Sequence, residues 1–456
     1  MISTEKYRDA VVKTTVDLIK IPSVKEPGTK EKPFGEPIDH ALRFMLDKGQ
    51  ELGFDTKNYD GYAGHIEFGE GEEILGILCH LDVVPAGDDW SYPPFEGEIA
   101  EGKLYGRGTL DNKGPAVAVL YAMAALKDAG FTPHKRIRLI LGTDEESGWE
   151  CMQHYLAHAE KPDLGFTPDA VFPIINAEKG IVMVRLQGPW PEKEGYSLME
   201  LRGGHRANMV PDRCLIRLSG GNMPALDEFL PQIGANEAQV SVNSIGAAVE
   251  IEVRGVSAHG STPEKGVNAI AHALKILGGL GFDGGLTGLL ADKVGFGWDG
   301  EGLNLKLSDA DSGPLTLNLG VIKSEAEHLS AELDIRYPIS FSKEEILQRL
   351  RASLPDSVSV TTLDSKPPLF VSPESKLIKV LQDVYTKHTG DPAELIAIGG
   401  GTYARALDNA VAFGPLFPGR EELAHQKDEH ISVDDLLIMT RIFDDAIARL
   451  AEEDGS

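Results

Sequence analysis

Over roughly the first 180 residues, short apolar runs alternate with stretches whose apolar residues recur at helical spacing, the pattern of strands joined by crossover helices. Three runs read as strands. Glu73 to Cys79 (EILGILC) leads into His80, Arg136 to Leu141 (RIRLIL) leads into Gly142, and Ala170 to Ile175 (AVFPII) follows Asp169. Between the first two, Pro115 to Gly130 reads as a helix, with proline suited to a first turn and glycine to a C-terminal stop. Polar residues therefore gather where strands end, which is where open α/β sheets bind ligands.

From about Gly180 to Pro368 the texture changes to alternating segments such as Val249 to Val253 and Ala331 to Ile335, with glycine-rich connections near Gly203, Gly220 and Gly284. Helices around Pro263 to Leu277 and Ser342 to Leu350 would cover one face of such a sheet. The first texture then returns. Ser372 to Thr389, with Ser372 as N-cap and Pro373 in the first turn, and Asp434 to Glu452 read as amphipathic helices on either side of the turn IGGGTYAR. The expected organisation is a first domain over residues 1–180 and 371–456, interrupted by an inserted α+β domain over 181–370.

Composition narrows the function classes. With 42% hydrophobic and 25% charged residues the chain is an ordinary globular one, and at 456 residues it exceeds the size at which one core stops growing. The 27 excess negative charges would repel phosphate backbones and anionic lipid, so neither nucleic acid nor a membrane is an expected partner. No apolar stretch reaches the roughly 18 residues of a membrane span. The charged first residues, MISTEKYRDAVVKTTVDLIK, do not resemble a signal peptide, and Cys79, Cys151 and Cys214 form no disulfide framework. A cytoplasmic location is expected.

Five polar positions then stand out. His80-Leu81-Asp82 places an imidazole and a carboxylate on one side of a strand end, an arrangement that orients a metal-binding histidine but also suits a surface pair. Asp111 in GRGTLDNKGP precedes a helix, where it could equally cap it. Thr143 to Ser147 (TDEES) sets consecutive acids after RIRLIL; neighbouring side chains diverge in extended backbone, so one glutamate could bind metal while the other takes a proton from water. Asp169 precedes the next strand, and His425 lies in AHQKDEHIS. His80, Asp111, Glu146, Asp169 and His425 make a nitrogen and oxygen donor set suited to zinc.

The motifs HLDVVPAGDDW, GRGTLDNKGP and TDEESG, in this order and spacing, resemble those of the two-zinc metallopeptidases, the family of aminoacylases, acetylornithine deacetylase, succinyl-diaminopimelate desuccinylase, glutamate carboxypeptidases and carnosinases. The resemblance covers essentially the whole chain and is greatest to the bacterial dipeptidase branch related to carnosinase. It implies a zinc-peptidase-like α/β catalytic domain with a mixed, mostly parallel sheet, and an inserted α+β lid. It implies two Zn2+ ions, and Mn2+ or Co2+ often tolerate such ligands. Asp111 would bridge them, with Glu146 and His425 on one and His80 and Asp169 on the other. Asp82 would orient His80, Glu145 would act as general base towards a bridging hydroxide, and the peptide bond before Asn112 would be cis.

In the lid, the resemblance makes His259 the residue that stabilises the oxyanion, Asn208 its helper, and Arg336 the clamp for the substrate carboxylate. The turn Gly399, Gly400, Gly401 and Thr402 would offer backbone N–H groups to a carboxylate; no Gly-Lys-Ser/Thr ending marks it as a nucleotide site. Two positions depart from the pattern: His430 stands five residues after His425 as a rival ligand, and Asp428 occupies a place where relatives often carry asparagine. The expected activity is hydrolysis of a small peptide substrate by a monomer that supplies His259 from its own chain. N-acyl amino acid deacylation or desuccinylation is the nearest rival, and metal-dependent binding without catalysis the rival from another class.

Overall fold

Ile74–His80 is buried at every position, as a strand covered on both faces must be, and it forms the middle of a sheet. The computed structural model describes residues 4–191, 193–195, 197–219, 238–246, 248–325 and 328–452; Gly220 lies outside them. Ile74–His80 pairs in parallel with Arg136–Gly142 on one side and Leu164–Thr167 on the other, and Leu164–Thr167 pairs in parallel with Ala410–Ala412. The flanks are antiparallel: Ala63–Phe68 and Asp55–Tyr59 beyond Arg136–Gly142, and Ile174–Glu178 beyond Ala410–Ala412. The sheet is thus mixed, with its parallel pairing in the centre. Helices Lys113–Asp128, Val433–Ala451 and Lys376–Thr389 pack their apolar faces into the same core as the strands.

The chain divides into two units. The first comprises the chain up to Asn176, Val371–Ile396 and the chain from Gly401 onward; the second comprises Ala177–Phe370 and Ala397–Gly400. The expected domain boundaries placed 397–400 in the first domain, whereas the strip pairs its backbone and side-chain contacts with residues such as Lys179 and Arg336. The second unit is built on an antiparallel sheet that contains Gly180–Gly188, Ser197–Gly203, Arg213–Ser219, Ala248–Arg254, Thr316–Ser324 and Leu329–Tyr337. Ala269–Gly279, Gly285–Lys293 and Lys343–Ala352 contribute their apolar residues to its core. Among the described residues no helix is long and apolar enough to cross a membrane.

Three elements differ from expectation for local reasons. The run AVFPII is split into Ala170–Val171 and Ile174–Glu178, because Pro173 has no N–H to continue a ladder. The helix expected from Pro263 is a short 3-10 turn, Pro263–Lys265, followed by extended Gly266. The α-helix starts only at Ala269, where Asn268 Oδ1 accepts from Ile270 N at 2.9 Å and Ala271 N at 3.1 Å. The helix expected from Ser372 likewise starts later, at Lys376, capped by Ser375, since Ser372 O is already taken by Ser375 N in a preceding turn. Ser375→Ala is therefore expected to lower stability by about 1 kcal/mol, and Ser372→Ala by clearly less, in denaturant unfolding of the two variants side by side.

Candidate metal centre

Because Ile74–His80, Arg136–Gly142 and Leu164–Thr167 run parallel, their carboxyl ends open on one edge of the sheet. His80 ends the first, Thr143 to Glu146 follow the second, and Asp169 follows the third by two residues. His80 Nδ1 donates to Asp82 O at 2.9 Å, which leaves Nε2 as its inward nitrogen. That atom lies 2.8 Å from Asp111 Oδ1 and 3.4 Å from Asp169 Oδ1. On the other side, His425 Nε2 lies 3.1 Å from Asp111 Oδ2 and 3.0 Å from Glu146 Oε2. Asp111 thus presents one oxygen to each histidine. The five residues expected to hold metal come together in two halves joined by one carboxylate.

The loops that carry these groups are fastened by acceptors rather than left to their own conformations. Asp82 meets His80 Nδ1 with its carbonyl oxygen at 2.9 Å and with its carboxylate Oδ1 at 3.5 Å. The same carboxylate accepts from Glu145 N and Glu146 N, both at 3.1 Å, and so fixes the acidic pair. Asn112, after a cis peptide bond at Asp111, accepts from His80 N at 3.3 Å and donates to Pro168 O, tying together the segments that carry His80, Asp111 and Asp169. Asp111 itself does not cap the following helix; Asn112 occupies the N-cap position without a side-chain bond. His430 belongs to the strand His430–Ser432 beside Lys103–Tyr105, its Nδ1 on Asp428 O at 2.9 Å and its ring against Tyr105. The imidazole at the centre is that of His425.

Electrostatics follows from this crowding. Burial opposes charge on His80, but Asp169, Asp111 and Asp82 outweigh it and hold its pKa well above the ordinary value. Hydrogen bonds to Asp111 and Glu146 push His425 up to about 10. Burial would raise Asp111, yet its bonds with His425 and His80 hold it below the usual carboxylate range. Burial pushes Asp169 up to about 6 against the pull of His80. Glu145, desolvated and facing the charge of Asp169, lies well above its ordinary value. Two overlapping donor sets, His80 with Asp111 and Glu146, and His80 with Glu145 and Asp169, each keep their ligand atoms within 4.8 Å of one another. Imidazole nitrogen and carboxylate oxygen at this density fit a divalent cation such as zinc.

Several residues at this site gave no signal as single positions in the sequence. Tyr403 is fully buried, with its ring 6.1 Å from that of His80 and its hydroxyl 3.0 Å from Cys151 Sγ. Gly142 makes room for it: a Cβ there would meet the Tyr403 hydroxyl at 2.3 Å. Lys25 Nζ pairs with Asp144 Oδ1 at 2.6 Å, beside the acidic pair. Glu429 and Arg107 form a buried ion pair behind the Asp111 turn.

In the second unit, His259 and Met209 form a bridge, and Gly260 N donates to Asn208 O at 2.7 Å, so Asn208 and His259 are neighbours. Gly260 has to be glycine here, since a Cβ would stand 2.8 Å from the Asn208 backbone. His259 Nδ1 meets Ser261 Oγ at 2.6 Å and accepts from Ser261 N at 3.2 Å, so Nε2 is its other ring nitrogen. Arg336 is only 4% exposed, and Asp334 takes its Nε and Nη2 at 2.8 and 2.6 Å while Nη1 donates to Gly399 O at 2.8 Å. Its fork is therefore partly committed within the unit. The glycine turn is divided: Gly399 and Gly400 go with the second unit, whereas Gly401 and Thr402 go with the first, where Thr402 Oγ1 caps the turn Tyr403–Ala406.

The sequence profile of Peptidase family M20/M25/M40 matches residues 76–449. A Bacillus subtilis (strain 168) protein named putative dipeptidase YtjP is 40% identical over 457 residues, covering 98% of each chain. A Staphylococcus aureus (strain USA300) protein, also named a putative dipeptidase, is 37% identical over 463 residues, covering 99% of each. The fold is shared with human carnosine dipeptidase 1 at a TM-score of 0.57 and 16% identity, over 98% of this chain and 97% of the other. It is shared equally with the dipeptidase Dug1p of Saccharomyces cerevisiae, at 0.58 and 14% over 99% and 97%. On its sequence match and on the fold that carries it, the chain belongs to peptidase family M20/M25/M40.

Proposed function

We propose that this protein hydrolyses the amide bond of unblocked dipeptides at a centre of two divalent cations, zinc foremost and manganese or cobalt as substitutes. The observation that carries the reading is the disposition of Asp111, one oxygen towards His80 and one towards His425, with Glu145 beside it. His80 and Asp169 would hold one cation, Glu146 and His425 the other, and Asp111 both. When bound, such cations would supply Lewis acidity and lower the pKa of water at the site towards ~7. Relatives named as dipeptidases at 37 to 40% identity support the substrate class.

The chain's own groups do the rest. Glu145, whose amide is pinned by Asp82, takes the water proton on its carboxylate and passes it to the leaving nitrogen. His259 donates from Nε2 to the oxygen that becomes an oxyanion, with Asn208 alongside. Arg336, oriented by Asp334, receives the substrate's terminal carboxylate on its remaining N–H groups, assisted by the backbone of Gly399, Gly400, Gly401 and Thr402. In this reading the second unit is a lid that serves its own chain, and the protein works as a monomer. Cys79, Cys151 and Cys214 are buried free thiols, which fits the reducing cytoplasm.

Chelation is expected to abolish dipeptide turnover, and restoring two equivalents of Zn2+ to recover it, while Asp111→Ala recovers none; metal analysis together with a panel of dipeptides, acetylated amino acids and succinylated amines checks this. Activity on the acylated substrates alone would overturn the dipeptidase reading. Glu145→Gln is expected to lower kcat by about 10²- to 10⁴-fold with metal content unchanged, as loss of a proton-transfer group does. Mixing inactive Glu145→Ala and His259→Ala chains should restore nothing; recovered activity in a dimer would show that His259 is lent between chains.

A further inference from the structure

Behind the metal-binding loops lies an ion pair that the donor set does not use. Arg107 and Glu429 are 1% and 0% exposed, and Arg107 Nη1 donates to Glu429 Oε2 at 2.7 Å. Glu429 Oε1 accepts from Gly108 N at 3.0 Å, Leu110 N at 2.9 Å and Asp111 N at 3.1 Å. Gly106 N donates to the Glu429 carbonyl oxygen at 2.9 Å. One residue thus gathers four of the six amides of the turn GRGTLD, those of Gly106, Gly108, Leu110 and Asp111, and so reaches the backbone of Asp111 itself. Arg107 is held from the far side by the face of Trp90, 5.2 Å from the ring centre.

The neighbouring residue extends the same device. Asp428 accepts from Ser91 N at 2.6 Å and Ser91 Oγ at 2.9 Å, so consecutive acids fasten two separate segments. Both stand within four residues of His425, whose backbone has a φ of 62°. A buried pair by itself is weak support for stability, because desolvation offsets the attraction. Its hydrogen bonds to the backbone of a metal-facing residue give it a different use, since groups that orient ligands tune the centre they surround.

We propose that Glu429, with Arg107 as its counter-ion, is the positioning residue that sets the Asp111 bridge at its distance from His425. The carboxylate joins the turn that presents Asp111 to the segment that presents His425, so it fixes the spacing on which shared coordination depends. This deepens the metal-centre reading and rests on it.

The test is Zn2+ affinity of the purified full chain, measured by competition with a chromophoric chelator, for the wild type, Glu429→Gln and Arg107→Lys. Glutamine keeps the shape but turns an NH2 group towards either the amides or the guanidinium. Its Zn2+ affinity should fall about 10- to 100-fold, as for other groups that orient ligands, and kcat on a dipeptide should fall while KM stays within roughly twofold. Arg107→Lys keeps the charge without the planar fork and should show a smaller loss, about threefold or more. Wild-type affinity in both variants, even with a lowered melting temperature, would overturn the proposal. If Glu429→Gln yields no folded protein, the affinity of Arg107→Lys decides by the same criterion. A wild-type chain that binds Zn2+ but hydrolyses no dipeptide would sink the proposed reaction, and the affinity comparison would still decide the role of Glu429; a wild-type chain that binds no Zn2+ would sink both.

Discussion

The site depends on keeping like charges together. Asp111, Glu145, Glu146 and Asp169 converge on one small volume in which burial weakens the screening that water would give. Such a cluster persists only when something positive is supplied. In the chain alone the imidazoles supply it: carboxylate contacts draw His80 and His425 towards their charged forms. Divalent cations at the same position would meet the same electrostatic need with more charge, which is why the cluster reads as a metal centre and not as a solvated acidic loop.

Acids that do not face the centre hold in place those that do. Asp82 collects the amides of Glu145 and Glu146, and Glu429 collects those of Gly108, Leu110 and Asp111. An ionised carboxylate accepting backbone N–H groups makes a stronger bond than a neutral acceptor would. It also leaves the side chains of the held residues free to turn inward. Asn112 performs the neutral version of this task for His80 and the segment before Asp169. Loops rather than strands carry most of the donors, yet those that carry Asp111, Glu146 and Asp169 are pinned within a residue or two of these groups, and the one that carries His425 within four.

The scaffold explains why three of the segments meet at all. Parallel strands share a direction, so chain that is distant in sequence emerges at one edge of the sheet. The register sets His80 opposite Gly142 and Ile77 opposite Phe166. His80, the acidic pair and Asp169 therefore arrive as neighbours from positions far apart in the chain. The second unit is an antiparallel sheet with its own helices and its own core.

Much of this was legible in the chain. The all-apolar run ILGILCH, the acids after RIRLIL and the histidine in AHQKDEHIS each carried a local signal, because burial on both faces and polar residues at strand ends are written residue by residue. Helix starts were less legible: Ser372 and Pro373 form as good a cap signal as Ser375, and only the turn closed from Ser375 N to Ser372 O decides between the two. The choice of His425 over His430 had no local basis beyond motif resemblance; in the fold His430 pairs with Tyr105, while His425 stands against Asp111 and Glu146. Tyr403, Arg107 and Glu429 were not legible as single residues, since their meaning lies in partners across the fold: Gly142 and Cys151 for the tyrosine, the GRGTLD turn for the ion pair. The sequence by itself determined the strands, the donor types and the order in which they occur, because those depend on periodicity and side-chain chemistry. Which donors face one another, which oxygen of Asp111 meets which histidine, and which acids serve as anchors were decided only by the tertiary structure, because such relations are distances between residues that the chain does not place side by side.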